Sequence, residues 1–303
     1  MSVSEQRPKG SRASVTRNWA LLAALAATVA LAVPAAAQAA GFAPAARPEV
    51  GIEDESMIFG PSAPVVAANW RTMGVDSVRV QAYWDALSPA STSPSKPGNF
   101  DPANPNSPGY QWAPLDRAIS IVQQNGMRVN LTVNQCGPRW ASLQPNNRTH
   151  CWRPNPAIFA QFATAVGRRY GGQITRVLLG SEPNQTAFLA PQFTCRGRRC
   201  TADAPHQYRN LVNAAYPALK AAAPGVPVII GELAPIGSPP SRRGGMKPLL
   251  FIRELGCVTA SFRSVSSGAC RRFRPARGDG VAVDDLVNDL LRRLAVEGGA
   301  AGQ

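Results

Sequence analysis

What most constrains this chain is an alternation. From residue 49 onward, short β-branched or apolar runs take turns with longer amphipathic ones. The runs 49–55 ("EVGIEDE"), 76–84 ("DSVRVQAYW"), 127–133 ("MRVNLTV"), 174–180 ("ITRVLLG"), 226–233 ("VPVIIGEL") and 277–283 ("RGDGVAV") read as strands. Between them, 63–74, 113–126, 156–172, 206–225 and 247–256 read as helices, several of them ended by glycine. Strands that alternate with helices join through crossovers, and crossovers make a sheet parallel. The expectation is an α/β fold whose chemistry gathers at the carboxyl ends of the strands, on a barrel or an open sheet. One long segment breaks the rhythm. Residues 88–112, rich in Pro, Ser and Asn, read as a loop of a size that is usually functional or disordered.

The first forty residues stand apart. Arg7, Lys9, Arg12 and Arg17 precede an apolar run, 19–33, that is too short to span a bilayer comfortably. Ala37, Gln38 and Ala39 then supply the small residues a signal peptidase requires, so 1–39 reads as a signal peptide cleaved near Ala39. A retained anchor is the alternative. Residues 40–48 read as a short linker, 49–283 as the folded domain, and 284–303 as an amphipathic helix with a Gly/Ala-rich tail. No later segment is long and apolar enough for a membrane, so a secreted protein is expected, with no membrane association once the leader is gone.

Cysteine usage fits that compartment. The six cysteines fall into local pairs, Cys136/Cys151, Cys195/Cys200 and Cys257/Cys270, and nearest-neighbour disulfides are the preferred connectivity. There is no CxxC, and His150 and His206 lack ligand spacing, so no metal is expected. The chain also lacks GxGxxG after a strand, GxxxxGK[ST] and GxSxG, which removes the carriers of nucleotide-binding and serine-hydrolase chemistry and leaves no cofactor to expect. The formal charge is +14, from 32 Lys and Arg against 18 Asp and Glu. Its clusters, "CRGRRC" (195–200), "SRRGGMK" (241–247) and "CRRFRPAR" (270–277), sit in separate loops without interleaved aromatics. They read as a solvated basic surface, not as a nucleic-acid interface.

Two carboxylates leave apolar strands in the same way. In "VLLGSEPNQ" (177–185) Glu182 follows an apolar run and is halted by Pro183, which has no N–H for a ladder; in "IIGELAP" Glu232 does likewise. Paired carboxylates at neighbouring strand ends are the raw material of glycoside hydrolysis, one as acid/base and the other as nucleophile or activator of water. Capping a helix, or pairing with an arginine, is the structural alternative for each. Arg79 alternates into the second strand, where it could hold a carboxylate ionised. Trp84, Trp112, Trp140 and Trp152 could offer flat faces to sugar rings, and Asn134 ends the third strand.

The segments "GVDSVRVQAYWDAL", "YQWAPLDRAISIVQQNGMRVNLTV", "RWAS", "GSEPNQTAFLAPQ" and "QYRNLVNAAYPALKAAAPGVPVIIGELAP" together resemble secreted TIM-barrel glycoside hydrolases of the large cellulase-like clan. The resemblance runs over roughly residues 50–275 and implies a (β/α)₈ barrel, a carbohydrate substrate and a retaining mechanism. In the clan's Asn-Glu-Pro motif the glutamate is the acid/base, which carries over to Glu182. The asparagine is replaced here by Ser181, which is shorter and lacks the amide that reaches the sugar. Arg79 and Trp84 match the clan's strand-2 arginine and the tryptophan after it, and Asn184 joins them as a candidate substrate-binding position. The clan's nucleophile ends a seventh strand. A closed barrel needs eight strands, and about six βα units are counted here, with Glu297 the last glutamate. The expectation is therefore an incomplete barrel in which hydrolysis is weak or lost unless Glu232 or a partner chain supplies the second carboxylate. A non-catalytic, secreted carbohydrate-binding protein is the alternative. The sugar, the linkage and the oligomeric state are not legible in the sequence.

Overall fold

The structure, a computed structural model, describes residues 48–241 and 244–282. The leader, nearly all of the linker, Arg242, Arg243 and the C-terminal segment from 283 lie outside the described residues. The chain enters with β1 (Gly51–Ile52), then α1 (Glu55–Ile58), α2 (Ala63–Thr72) and β2 (Ser77–Ala82). It continues through α3 (Trp84–Leu87), α4 (Ala113–Gln124), β3 (Arg128–Val133), α5 (Pro156–Tyr170) and β4 (Arg176–Leu179). A hairpin, β5 (Phe193–Arg196) and β6 (Arg199–Ala202), precedes α6 (Ala204–Ala222), β7 (Val228–Gly231), α7 (Pro248–Leu255) and β8 (Gly280–Ala282).

Six of these strands form one sheet in chain order, β1-β2-β3-β4-β7-β8, and every neighbouring pair is parallel. This is the strand order of an incomplete (β/α)₈ barrel with helices along one face. The helices start where the sequence says they should. Five of them carry proline in their first turn, where a missing N–H costs nothing. Asn155 caps α5 by accepting from the Ala157 amide.

The strand register separates the two faces. Val78, Val80 and Ala82 align with Val129, Leu131 and Val133, all buried against the helices. Ser77, Arg79 and Gln81 align with Arg128, Asn130 and Thr132 on the opposite, inner side. In β4 the inner positions are Arg176, opposite Asn130, and Leu178, which pairs across the ladder with Ile229 of β7. The helix-side core is one continuous cluster running from Ile58 to Phe251.

Four elements differ from the sequence reading. Residues 49–55 contain a strand of only two residues, because Asp54 accepts from the Met57 amide and turns the chain into α1. The strand read over 76–84 stops at Ala82, and Trp84 opens a helix. The basic 195–200 stretch is the end of a disulfide-stapled hairpin with Arg196, Arg198 and Arg199 exposed. The 88–112 segment has no regular structure, yet it is ordered by aromatic packing: Phe100 is buried, with Tyr110 and Trp140 edge-on at 4.8 and 5.6 Å.

The three disulfides join nearest neighbours, Cys136–Cys151, Cys195–Cys200 and Cys257–Cys270. His150 and His206 each lie near such a pair, but with the sulfurs bonded to one another neither group holds a free thiolate. Among the described residues no helix is long and apolar enough to cross a membrane.

Candidate functional site

The exits of β4 and β7 are built alike. Gly180 has φ +90° and Gly231 φ +108°, and the glutamates that follow, Glu182 and Glu232, have φ +39° and +52°. Positive φ is free for glycine and costly for a side-chain-bearing residue, and such strain gathers at functional sites. Space reinforces the conformation. A Cβ at Gly180 would lie 2.9 Å from the Tyr208 ring, and one at Gly231 only 2.2 Å from the Ala282 carbonyl. The buried Tyr208 hydroxyl bridges the two exits, donating to the Leu179 carbonyl at 2.6 Å and accepting from the Gly231 amide at 2.8 Å. The ladder then resumes one step further out. The Glu182 amide donates to the Glu232 carbonyl at 3.0 Å, and the Glu232 amide to Ala282 at 2.8 Å. Two carboxylate-bearing residues thus stand side by side at the carboxyl edge of the sheet.

Arg79 ties the inner face together. Its Nε donates to Thr132 Oγ1 at 2.8 Å and its Nη2 to Ser181 Oγ at 3.2 Å. The same guanidinium pairs with Glu53, just past β1, and lies 2.6 Å from Glu232. Four strands are therefore linked to one cation that projects from a fifth. Gln81, one inward step along β2, donates to Glu53 at 2.9 Å and is itself held by Asn134 at 2.8 Å.

Next to this hub sits a carboxyl group to which the sequence reading gave no role. Burial, then the neighbouring Glu53 carboxylate, push Glu55 up to about 7. Tyr83, at the exit of β2, is pushed up to about 12, first by burial and then by the charges of Glu55 and Glu53. The signal was in "GIEDE", where carboxylates follow directly on the short β1 run. A cavity of about 180 Å³ opens on the same rim, lined by Asp85, Arg139, His150 and Trp152 among others.

Several proposed sugar contacts lie elsewhere. Trp84 is fully buried, stacked on Phe162 at 5.4 Å with 12° between the rings, because it turns back under the sheet into the α5 interface. Trp112 and Trp140 are also core residues, and their indole N–H groups are used by the carbonyls of Pro105 and Pro89. Trp152 alone of the four is partly exposed. Asn184 is buried, with its amide spent on Ala234, Ile236 and Met246 carbonyls and its oxygen on the Ala234 amide. It fastens the loop after β7 instead of meeting a ligand. Asn134 is likewise buried and orients Gln81. Ser181 is buried beneath Arg79.

No protein-family model and no curated protein matches the chain. Among solved structures, a family 5 subfamily 18 protein from Streptomyces cattleya, bound to GlcNAc, aligns with a TM-score of 0.42 at 15% identity, over 62% of this chain and 45% of its own. The virulence factor SghA in complex with the substrate analogue salicin gives 0.40 at 13%, over 60% and 46%. A β-glucosidase from Thermotoga maritima gives 0.39 at 10%, over 60% and 48%. The chain spans less than half the length of each of these three, and the assignment of its fold rests on the strand order and register described above.

Proposed function

We propose that this chain is a secreted glycoside-hydrolase-like protein whose mouth binds a poly- or oligosaccharide, with Glu182 as general acid/base and Glu232 as the second carboxylate. The observation that carries the reading is the hydrogen bond from the Glu182 amide to the Glu232 carbonyl, which sets the two residues on adjacent strand ends. Hydrolysis of a glycosidic bond needs one group that lends a proton to the departing oxygen and one that attacks or activates water. The ion pair between Glu232 and Arg79 suits the second role, since a nucleophile or base works as the anion. Glu182, set beside it at the strand end between Gly180 and Pro183, is left for the first. Three disulfides support an oxidising compartment.

The test is turnover of a panel of aryl glycosides and polysaccharides. Glu182→Gln should lower kcat by about 10²- to 10⁴-fold, the usual worth of a positioned acid/base. Full activity in that variant would remove Glu182 from the mechanism. The binding-only alternative draws support from Ser181, whose hydroxyl is engaged by Arg79 and offers no amide. It predicts calorimetric binding of oligosaccharide with no turnover in the parent chain.

A further inference from the structure

The last basic stretch of the sequence, 270–277, does more than face solvent: it closes over a cation that the fold has already buried. Arg209, on α6, is 5% exposed. Its Nη1 donates to the Leu255 carbonyl at 2.9 Å and reaches the Glu254 carbonyl and Cys257 Sγ at 3.4 and 3.3 Å, capping the last turn of α7. Its Nη2 donates to the Ala269 carbonyl at 3.1 Å. The Nε–H and one Nη2 hydrogen are left without an acceptor among the described residues. Carbonyls solvate a guanidinium but carry no net charge, and among the described residues Arg209 has no ion pair. The Glu254 carboxylate lies 3.5 Å from His206 Nε2 instead. Burial pulls the Arg209 pKa below its ordinary value while the charge of Glu254 raises it, but an arginine keeps its proton, so the group cannot escape its burial by turning neutral. A buried charge without a counter-charge is costly.

A cavity of about 380 Å³ opens against this cation, walled by Asn213 of α6 and by Arg271, Arg272, Phe273 and Arg274 of the loop that the Cys257–Cys270 disulfide fastens beside α7. No acidic residue lines it, and its three exposed arginines have no ion pair among the described residues. The Phe273 ring sits 5.1 Å from the Arg209 guanidinium and screens one side of it from water. Four guanidiniums around one recess, one of them held in place by four contacts, form a donor set for an oxyanion, because each planar fork grips two oxygens at once. We propose that this recess is a binding site for a phosphate or sulfate group, with Arg209 as its fixed floor and Arg271, Arg272 and Arg274 as its exposed arms. A water molecule takes about 30 Å³ of the liquid, so the space holds the oxyanion together with part of a molecule that carries it. None of the lining residues comes from a strand end, so the site does not rest on the sugar-binding reading above.

The full chain, labelled with ¹⁵N at arginine, is titrated by NMR with sodium sulfate and separately with sodium phosphate, at an ionic strength held constant with sodium chloride. The Nε–H resonance in through-space contact with the Phe273 ring marks Arg209. It should shift and saturate with either oxyanion and stay in place with chloride alone. Arg272→Ser combined with Arg274→Ser removes two exposed arms and should raise the dissociation constant by about tenfold. Arg198→Ser combined with Arg199→Ser takes the same charge from the exposed hairpin tip and should leave that constant unchanged. A shift that never saturates, or an equal loss in both double variants, reduces the effect to diffuse attraction by a basic surface and overturns the site. Chondroitin hexasaccharides, sulfated and desulfated, then separate the two sources of the group. Tighter binding of the sulfated hexasaccharide than of inorganic sulfate, lost on desulfation, assigns the recess to a group borne on a polysaccharide. Tighter binding of inorganic sulfate assigns it to the free ion.

Discussion

The two halves of the sheet reach the same mouth by different means. In β2 and β3 the inner face is polar along its length, and side chains position one another: Asn134 holds Gln81, Gln81 holds Glu53, and Arg79 spans Thr132, Ser181, Glu53 and Glu232. In β4 and β7 the inner face turns apolar at Leu178 and Ile229 after Arg176 at the start of β4, and the next polar side chains come where the strands end. There the backbone does the positioning, through two positive-φ glycines, a bridging tyrosine hydroxyl and two glutamates in the left-handed region. A side-chain network shares its load over several contacts, so losing one leaves the others. A backbone turn set by a single conformation has no such reserve. The second half should therefore be the more brittle.

The sharpest way to break the comparison is Gly231→Ala. The new Cβ would lie 2.2 Å from the Ala282 carbonyl, at a φ of +108° that an L side chain rarely adopts. Relief requires parting β7 from β8, whose register runs Ile229, Ile230 and Gly231 against Gly280, Val281 and Ala282. A loss of about 3 kcal/mol or more in urea unfolding is expected. A loss below about 1 kcal/mol would mean that the strand end can rotate freely and that the backbone does not fix Glu232.

Arg79→Met is the matching test in the first half. It keeps the aliphatic stem but leaves Glu53 and Glu232 without their cation and Thr132 without its donor. The Arg79 side chain is 21% exposed, so water reclaims part of the loss, and about 2 kcal/mol is expected in the same unfolding experiment. A larger penalty than that of Gly231→Ala would reverse the ordering of the two halves.

The same contrast explains what could be read from the sequence. The βα alternation was legible because the strands are short and apolar and the helices begin at prolines, and both are local signals. Glu182 and Glu232 stood out because a carboxylate within two residues of a glycine is conspicuous at the end of an apolar run. The tryptophans misled for a physical reason. Trp84 lies two residues beyond β2, a place from which an indole can face the mouth or fold under the sheet, and only the Phe159 and Phe162 rings of α5 decide between them. Asn184 misled because its work is done on Ala234, Ile236 and Met246, at least fifty residues away. Glu53 and Glu55 were hidden inside a run that reads as one strand, since the cap that ends β1 depends on the geometry of Asp54.

The smallest effect lies at the opposite end of the second half, where β8 begins. Asp279 accepts from the Tyr216 hydroxyl at 2.6 Å, the Val228 amide at 2.9 Å and Lys220 Nζ at 3.1 Å, while its own amide donates to the Val228 carbonyl at 2.7 Å. The Tyr216 hydroxyl, then the Val228 amide and Lys220, hold its carboxyl down at about 2 against an ordinary 3.8. Because the folded value lies below the unfolded one, the stabilisation is complete above the ordinary value and drains away as pH falls toward the folded one. The side chain is 31% exposed, so solvent screening keeps its worth to about 1 kcal/mol. Asp279→Asn retains the shape and removes the charge. Urea unfolding should place the variant about 1 kcal/mol below the parent at pH near 7, and the gap should close by about pH 2. A gap of equal size at both pH values would assign Asp279 to shape alone, leaving β8 held to β7 by its backbone ladder as the turns at the mouth are.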